Sequence, residues 1–119
     1  MKLYEGFMPK GNDAGSRLVY VKDSTGRTEP LEHHARHSPT GFSWGYTGSG
    51  PAELAMCILW DYLGHEPHPM LYQKFKDDYV AGWGHDDWVL SSAAIEAWLD
   101  LNKSISRQLH KSGTTSVAS

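Results

Sequence analysis

The spacing of the apolar residues changes at Gly50, and this change constrains the fold most. Before it, residues 3–8 and 18–21 are short stretches rich in aromatic and aliphatic residues, and turn-rich sequence separates them from each other and from a further extended stretch at 28–35. Such stretches are typical of an antiparallel meander. After it, apolar residues recur every three or four positions, as on one face of a helix. The pattern predicts an α+β domain, with a small antiparallel sheet from the N-terminal half packed against about three helices from the C-terminal half.

The helices are expected near residues 51–63, 69–81 and 91–102. Pro51 suits the first helical position, and Gly64 is placed to end the first helix. These bounds predict a single domain over residues 1–103, followed by a polar, flexible tail at 104–119 that has no apolar period.

The helix starts carry further signals. Gly50 is the expected cap of the first helix, and Glu53 follows three residues later, with its charge in the positive first turn. Ser91 or Ser92 is expected to cap the third helix.

A fourth extended segment is expected at residues 42–47. Side chains alternate along a strand, so Phe42, Trp44 and Tyr46 would share one face. That aromatic face is expected to cover the core.

Composition narrows the class of protein. The hydrophobic fraction is 39%, which is too high for a disordered chain, and no apolar run is long enough to span a bilayer. No secretory signal is recognisable at the N-terminus, so a soluble, cytoplasmic protein is expected. The single cysteine, Cys57, forms no internal disulfide, and a small buried thiol is the ordinary interpretation.

The charge is unevenly distributed. The net charge is −3, but residues 51–103 carry nine acidic residues against three basic ones. A basic surface for phosphate backbones is absent, which argues against direct nucleic-acid binding.

Residues 37–55, HSPTGFSWGYTGSGPAELA, are the most distinctive run. They resemble an uncharacterised family of small phage, plasmid, bacterial and halophilic archaeal proteins. That family is marked by a His-Ser-Pro-x-Gly-Phe start, a Trp-Gly-Tyr centre and a Gly-Ser-Gly-Pro-Ala end. The later YQKFKDDYVAGW and the Trp and Leu pattern of residues 88–99 are similar to the same family's continuation. The resemblance implies mobile-element ancestry and a common fold, and it implies no catalytic residues.

The glycine-rich end of this run precedes a helix, where free amides and the helix dipole favour an anion. A small ligand or nucleotide at this turn is one hypothesis, although neither the P-loop lysine nor the three-glycine dinucleotide pattern is present. The alternative is that the glycines allow a tight chain reversal and close packing. The candidate ligand residues are His37, Trp44, Tyr46, Ser49 and Gly50.

Other chemistry is less well marked. His33, His34 and His37 lie close in sequence, but their spacing does not force a set of metal ligands to converge, and no metal or cofactor is predicted. Adjacent His37 and Ser38 do not face one another in extended chain, so no base and nucleophile pair is assigned. No catalytic residue is predicted.

The main hypothesis is a non-enzymatic binding protein of a phage or mobile element that inhibits a host defence complex, as an anti-CRISPR protein does. Its partner would present a basic surface. Asp77, Asp78, Asp86 and Asp87 would imitate a phosphate backbone, although such charges also serve solubility alone. Met56 and Trp60 lie off the main apolar stripe, so they form a second candidate contact surface. The alternative is that Trp60 packs against the second helix or the tail.

Overall fold

The computed structural model describes residues 1–8, 17–38 and 41–105. In chain order the elements are β1 (Leu3–Phe7), β2 (Leu18–Lys22), β3 (Thr28–Pro30), α1 (Ser49–Leu63), α2 (Pro69–Asp78), a 3-10 turn (Val80–Gly82), β4 (Trp88–Ser91) and α3 (Ser92–Leu101). This arrangement confirms the predicted α+β class. The turn-rich sequence between the first two predicted strands, residues 9–16, lies outside the described residues, as do residues 106–119 of the predicted tail.

The strands form one antiparallel sheet in the order β3-β2-β1-β4. Tyr4 in β1 lies opposite Val21 in β2 and Leu90 in β4, so these side chains share the face that packs on the helices. The fourth strand comes from the C-terminal half and was not predicted. Trp88 and Leu90 are buried on either side of exposed Val89, but a strand of four residues is too short to reveal its period.

The third strand is shorter than predicted. It covers Thr28–Pro30 rather than residues 28–35, because the chain from His33 onward leaves the sheet to contact α1.

The fourth extended segment, predicted at residues 42–47, is not a strand. Gly45 adopts a left-handed φ of 89° and donates its N–H to the Val80 carbonyl at 3.1 Å, which turns the backbone. As a result Trp44 is buried and Tyr46 is exposed, so the two rings do not share a face.

The ends of α1 confirm one prediction and correct another. Gly64 ends the helix in the left-handed conformation, with a φ of 83°, and its N–H bonds to the Trp60 carbonyl at 2.8 Å. The N-terminal cap is Gly48 rather than Gly50, so the helix begins two residues earlier than predicted. None of the described helices combines the length and apolar character needed to cross a membrane.

The other helices are close to their predicted bounds. In α2, His68 is the cap, with its side chain accepting the Met70 N–H at 3.1 Å, and the helix ends at Asp78 rather than at residue 81. Ser91 is the cap of α3, because its hydroxyl accepts the N–H of Ala94 at 3.1 Å.

Helix α1 lies at the centre of the domain. Its residues 50–59 are all buried, because the helix meets α2, α3 and the 3-10 turn while the loop before it packs along its side. Asp61 joins the helix to the first strand, since its Oδ2 accepts from the Tyr4 hydroxyl at 2.6 Å and from Lys2 Nζ at 3.0 Å. Burial and the Asp61 charge both raise the pKa of Tyr4, so this hydroxyl keeps its proton.

Gly6 offers a direct test of how the fourth strand packs. A Cβ at this position would overlap the Trp88 indole, so Gly6→Ala is expected to lower the free energy of unfolding by about 1–3 kcal/mol. Gly82→Ala is the matched control, because its Cβ would meet nothing within 4 Å, and a change below about 0.5 kcal/mol is expected. Urea unfolding measures both, and equal losses would contradict the packing of Trp88 on Gly6.

Candidate functional site

The most unusual side chain of the domain is Glu53, which projects from α1 and is completely buried. It lies within residues 50–59 of α1, all of which are buried. A buried carboxylate is unfavourable unless hydrogen-bond donors surround it. Its partners therefore determine what this region does.

The donors come from the loop between the sheet and α1. Oε1 accepts the backbone N–H of His37 at 2.7 Å, and the N–H of Arg36 lies 3.1 Å from Oε1 and 3.2 Å from Oε2. Nε2 of His33 lies 2.6 Å from Oε2. The carboxylate thus holds the loop against α1 through main-chain amides and one imidazole.

His33 is oriented by two acceptors. Its Nε2 lies 2.6 Å from Glu53 Oε2 and 2.9 Å from the Ser38 carbonyl oxygen. Because both neighbours accept hydrogen bonds, Nε2 carries the proton. The imidazole ring also packs on Phe42, with ring centroids 4.9 Å apart.

His37 points toward α2. Its Nε2 lies 2.5 Å from the Tyr72 hydroxyl, and the two rings meet edge to face with centroids 5.4 Å apart. Burial, followed by the charges of Glu66 and Glu53, raises the pKa of Tyr72, so this hydroxyl stays protonated. The loop is therefore attached to both α1 and α2.

The outer side of the same loop forms a small stacked group. The His34 ring lies parallel to the Trp60 ring at a centroid distance of 3.6 Å, and the Arg36 guanidinium lies 5.5 Å from the Trp60 centroid. Arg36 Nε is also 3.6 Å from Glu66 Oε2. This group covers Trp60 and leaves its side chain partly buried.

Cys57 lies beneath this loop and is buried, which confirms the prediction of a small buried thiol. Its sulfur accepts the His34 N–H at 3.4 Å. Burial is the main reason why the pKa of this thiol rises to about 12, so Cys57 is a thiol at neutral pH and a poor nucleophile.

The start of α1 leaves few backbone amides for the anion that was predicted to bind there. Pro51 has no N–H, and the N–H of Ala52 bonds to the Gly48 carbonyl at 3.0 Å, which leaves at most the amides of Ser49 and Gly50 for an anion. Gly50 is buried, and Ser43 Oγ occupies the position that a Cβ on Gly50 would take.

The candidate ligand residues do not converge on that turn. The Tyr46 hydroxyl lies 2.6 Å from Ser43 Oγ and so stays near Gly50, but His37 bonds to Tyr72 on α2. Ser49 is exposed at the helix start.

Trp44 belongs to the core instead. It is fully buried, donates from Nε1 to the Asp86 carbonyl at 3.0 Å and meets Trp88 edge to face. Arg17 lies over its ring at 5.0 Å from the centroid and donates to its carbonyl at 2.8 Å. These contacts support the structural alternative, in which the glycines permit close packing.

All of the predicted acidic contact residues are exposed, but two of them also hold parts of the fold. Asp78 accepts from Lys74 at 2.7 Å and from Trp98 Nε1 at 2.8 Å, and these bonds lower its pKa. Asp87 Oδ1 accepts the N–H of Met8 at 2.7 Å.

Asp77 and Asp86 carry exposed carboxylates with less involvement in the fold. The side chain of Asp77 is 62% exposed, and its ion pair with Lys76 is long, at 3.7 Å. Asp86 contributes to the fold through its main-chain carbonyl, which accepts from Trp44.

The expected patch of Met56 and Trp60 is wrong in its premise, because Met56 is completely buried. The sequence places Met56 off the main apolar stripe of α1, but the helix is enclosed on every side over residues 50–59. Trp60 stacks on His34 of the loop, whereas the alternative interpretation placed it against the second helix or the tail.

The role of Glu53 was not predicted from the sequence, which placed its charge in the positive first turn of α1. The signal was present, since Glu53 is the one acidic residue among ten consecutive residues of α1 that are otherwise uncharged, from Gly50 to Leu59. Within the described residues, no group of three or more His, Cys, Asp or Glu side chains is arranged to hold a metal ion.

Replacing Glu53 is expected to release the loop. Glu53→Ala leaves two main-chain amides and His33 without their acceptor, so the free energy of unfolding should fall by about 2–5 kcal/mol. Glu53→Gln keeps one acceptor oxygen and should lose less.

The matched control is Glu66→Ala, which removes a half-exposed carboxylate that contacts the same loop at Arg36. A loss below about 1 kcal/mol is expected there. Equal urea midpoints for Glu53→Ala and Glu66→Ala would show that the carboxylate does not hold the loop.

Comparisons with known proteins place this fold in a family. No curated protein and no solved structure matches the chain significantly. A family of unknown function, DUF6166, matches residues 5–101, which include the loop, Glu53 and all the described helices. The chain belongs to this family of unknown function, DUF6166.

Proposed function

We propose that this chain is a non-enzymatic binding protein of a phage or another mobile element. It acts by covering a basic surface of a host defence complex, in the manner of an anti-CRISPR protein. The observation that carries the proposal is that two groups of polar residues have different roles. His33 and Glu53, which are types of side chain used in catalysis, hold the loop on α1, whereas carboxylates of the acidic second half face the solvent.

The state of Glu53 argues against catalysis at the loop. A general acid or base must reach its substrate, and this carboxylate is fully buried and surrounded by donors from its own chain. The Nε2 atoms of His33 and His37 are likewise engaged, with Glu53 and with Tyr72.

The exposed aspartates support a basic partner. Asp77 lies at the C-terminal end of α2 and Asp86 in the turn before β4, and both side chains face solvent. Carboxylates in such positions attract a positive surface over about a Debye length, near 10 Å at moderate salt. The residues that match the phage and plasmid resemblance, 37–55, are consistent with a mobile-element origin.

The alternative function is a small-ligand or nucleotide-binding domain, or an enzyme, that uses the glycine-rich turn. It remains a prediction without a specific observation in its favour. Few amides are free at the start of α1, and the side chain of Trp44 is committed to the core.

The test combines protection of a phage with direct binding. A phage that the CRISPR defence of its host targets should form more plaques on hosts that express the wild-type chain. The purified chain should bind the purified defence complex, and binding should weaken as salt rises.

The decisive variant reverses the two aspartates that contribute least to the fold, Asp77→Lys with Asp86→Lys. Affinity for the complex should fall about tenfold or more, because like charges then face the basic surface. The control is Glu32→Lys with Glu96→Lys, which makes the same charge change at exposed positions elsewhere. Equal affinity of both double variants would remove the acidic surface from the proposal, and a wild-type chain that neither protects the phage nor binds would overturn the function.

A further inference from the structure

The sheet has a second face, opposite the helices, that is unusually apolar. We call it the outer sheet face and define it by the alternate residues that point away from the core. Three of its apolar members are exposed, at 61% for Val89, 48% for Leu18 and 41% for Phe7. Its described members are Leu3, Glu5, Phe7, Leu18, Tyr20, Lys22, Thr28, Pro30, Val89 and Ser91.

The register makes these side chains neighbours. Phe7 lies opposite Leu18, and Glu5 lies between Tyr20 on β2 and Val89 on β4. The rings of Phe7 and Tyr20 meet edge to face, with centroids 5.9 Å apart. The solvent side of an antiparallel sheet is ordinarily polar, so a contiguous apolar group there indicates a contact surface.

The outer sheet face also carries one acidic and one basic residue. Glu5 on β1 and Lys22 on β2 lie on the same side of the sheet, two residues apart in register. Within the described part of the chain, neither makes an ion pair, although several other charged residues do. A surface that carries one charge of each sign among apolar side chains can be complementary to a second copy of itself.

We propose that two copies of this chain form a dimer by packing their outer sheet faces together around a two-fold axis. In this arrangement Glu5 of each copy faces Lys22 of the other. A two-fold axis forms this ion pair twice, so one acidic and one basic residue satisfy the whole interface. The apolar side chains around the two charged residues supply the buried area.

A second copy is the occupant that the charges favour. A basic partner such as the proposed defence complex would pair with Glu5 but repel Lys22. The aspartates of α2 and of the turn before β4 belong to other elements of the fold, so this inference does not depend on the proposed function.

The test measures the mass of the full chain in solution by sedimentation equilibrium, up to about 1 mM, a range that detects weak association. The wild-type chain should be dimeric. Glu5→Lys alone should put like charges together at both pairs and raise the dissociation constant about tenfold or more, and Lys22→Glu should do the same.

Mixing the two single variants should restore the dimer. In a mixed pair, the reversed charge at position 5 of one copy meets the reversed charge at position 22 of the other, and the remaining native pair is intact. An ion pair within one chain cannot produce this recovery. Failure of the mixture to dimerise while each variant keeps the wild-type circular dichroism would contradict the pairing.

The apolar part of the interface has its own test. Leu18→Glu on the outer sheet face should give a folded monomer, because it buries an unpaired charge in the contact. The control is Leu101→Glu on α3, which alters an equally apolar side chain that is 84% exposed and should leave the dimer unchanged. A wild-type chain that is monomeric at about 1 mM, or equal masses for these two variants, would overturn the proposal.

Discussion

The buried carboxylate of Glu53 is the interaction on which the rest of the structure depends. Removing a carboxylate from water costs several kcal/mol unless donors replace the lost solvent. Here the replacement comes from the amides of Arg36 and His37 and from the His33 ring. Folding α1 into the centre of the domain therefore requires this loop to fold with it.

The loop then determines the path of the chain into the glycine-rich segment. After Phe42, Trp44 lies in the core, where its Nε1 donates a hydrogen bond to the Asp86 carbonyl. The next residue, Gly45, bonds to Val80 in the 3-10 turn. In its described part, residues 37–38 and 41–55, the distinctive run thus connects α1, the 3-10 turn and the segment before β4. This explanation requires no ligand.

The sequence predicts the parts of the fold that depend on local rules. Hydrophobic periodicity located the helices, and the end at Gly64 and the cap at Ser91 follow from the preferences of those residues. The prediction of a strand at residues 42–47 was wrong, because alternation alone cannot show that Gly45 takes a positive φ. The prediction that Met56 is exposed was wrong, because α1 is enclosed on all sides over residues 50–59. The period of a helix cannot reveal such enclosure.

The candidate site was less accessible to sequence reasoning, because its key contacts join a side chain to main-chain amides 16 and 17 residues earlier. No side-chain pattern encodes such bonds. Hydrogen exchange of the Arg36 and His37 amides, followed by nuclear magnetic resonance, tests their existence most directly. If Glu53 holds the loop, both amides should exchange as slowly as core amides of α1. Their exchange should then require unfolding of the whole domain. Exchange of the His37 amide at the rate of an unstructured peptide, while α1 stays protected, would contradict this account.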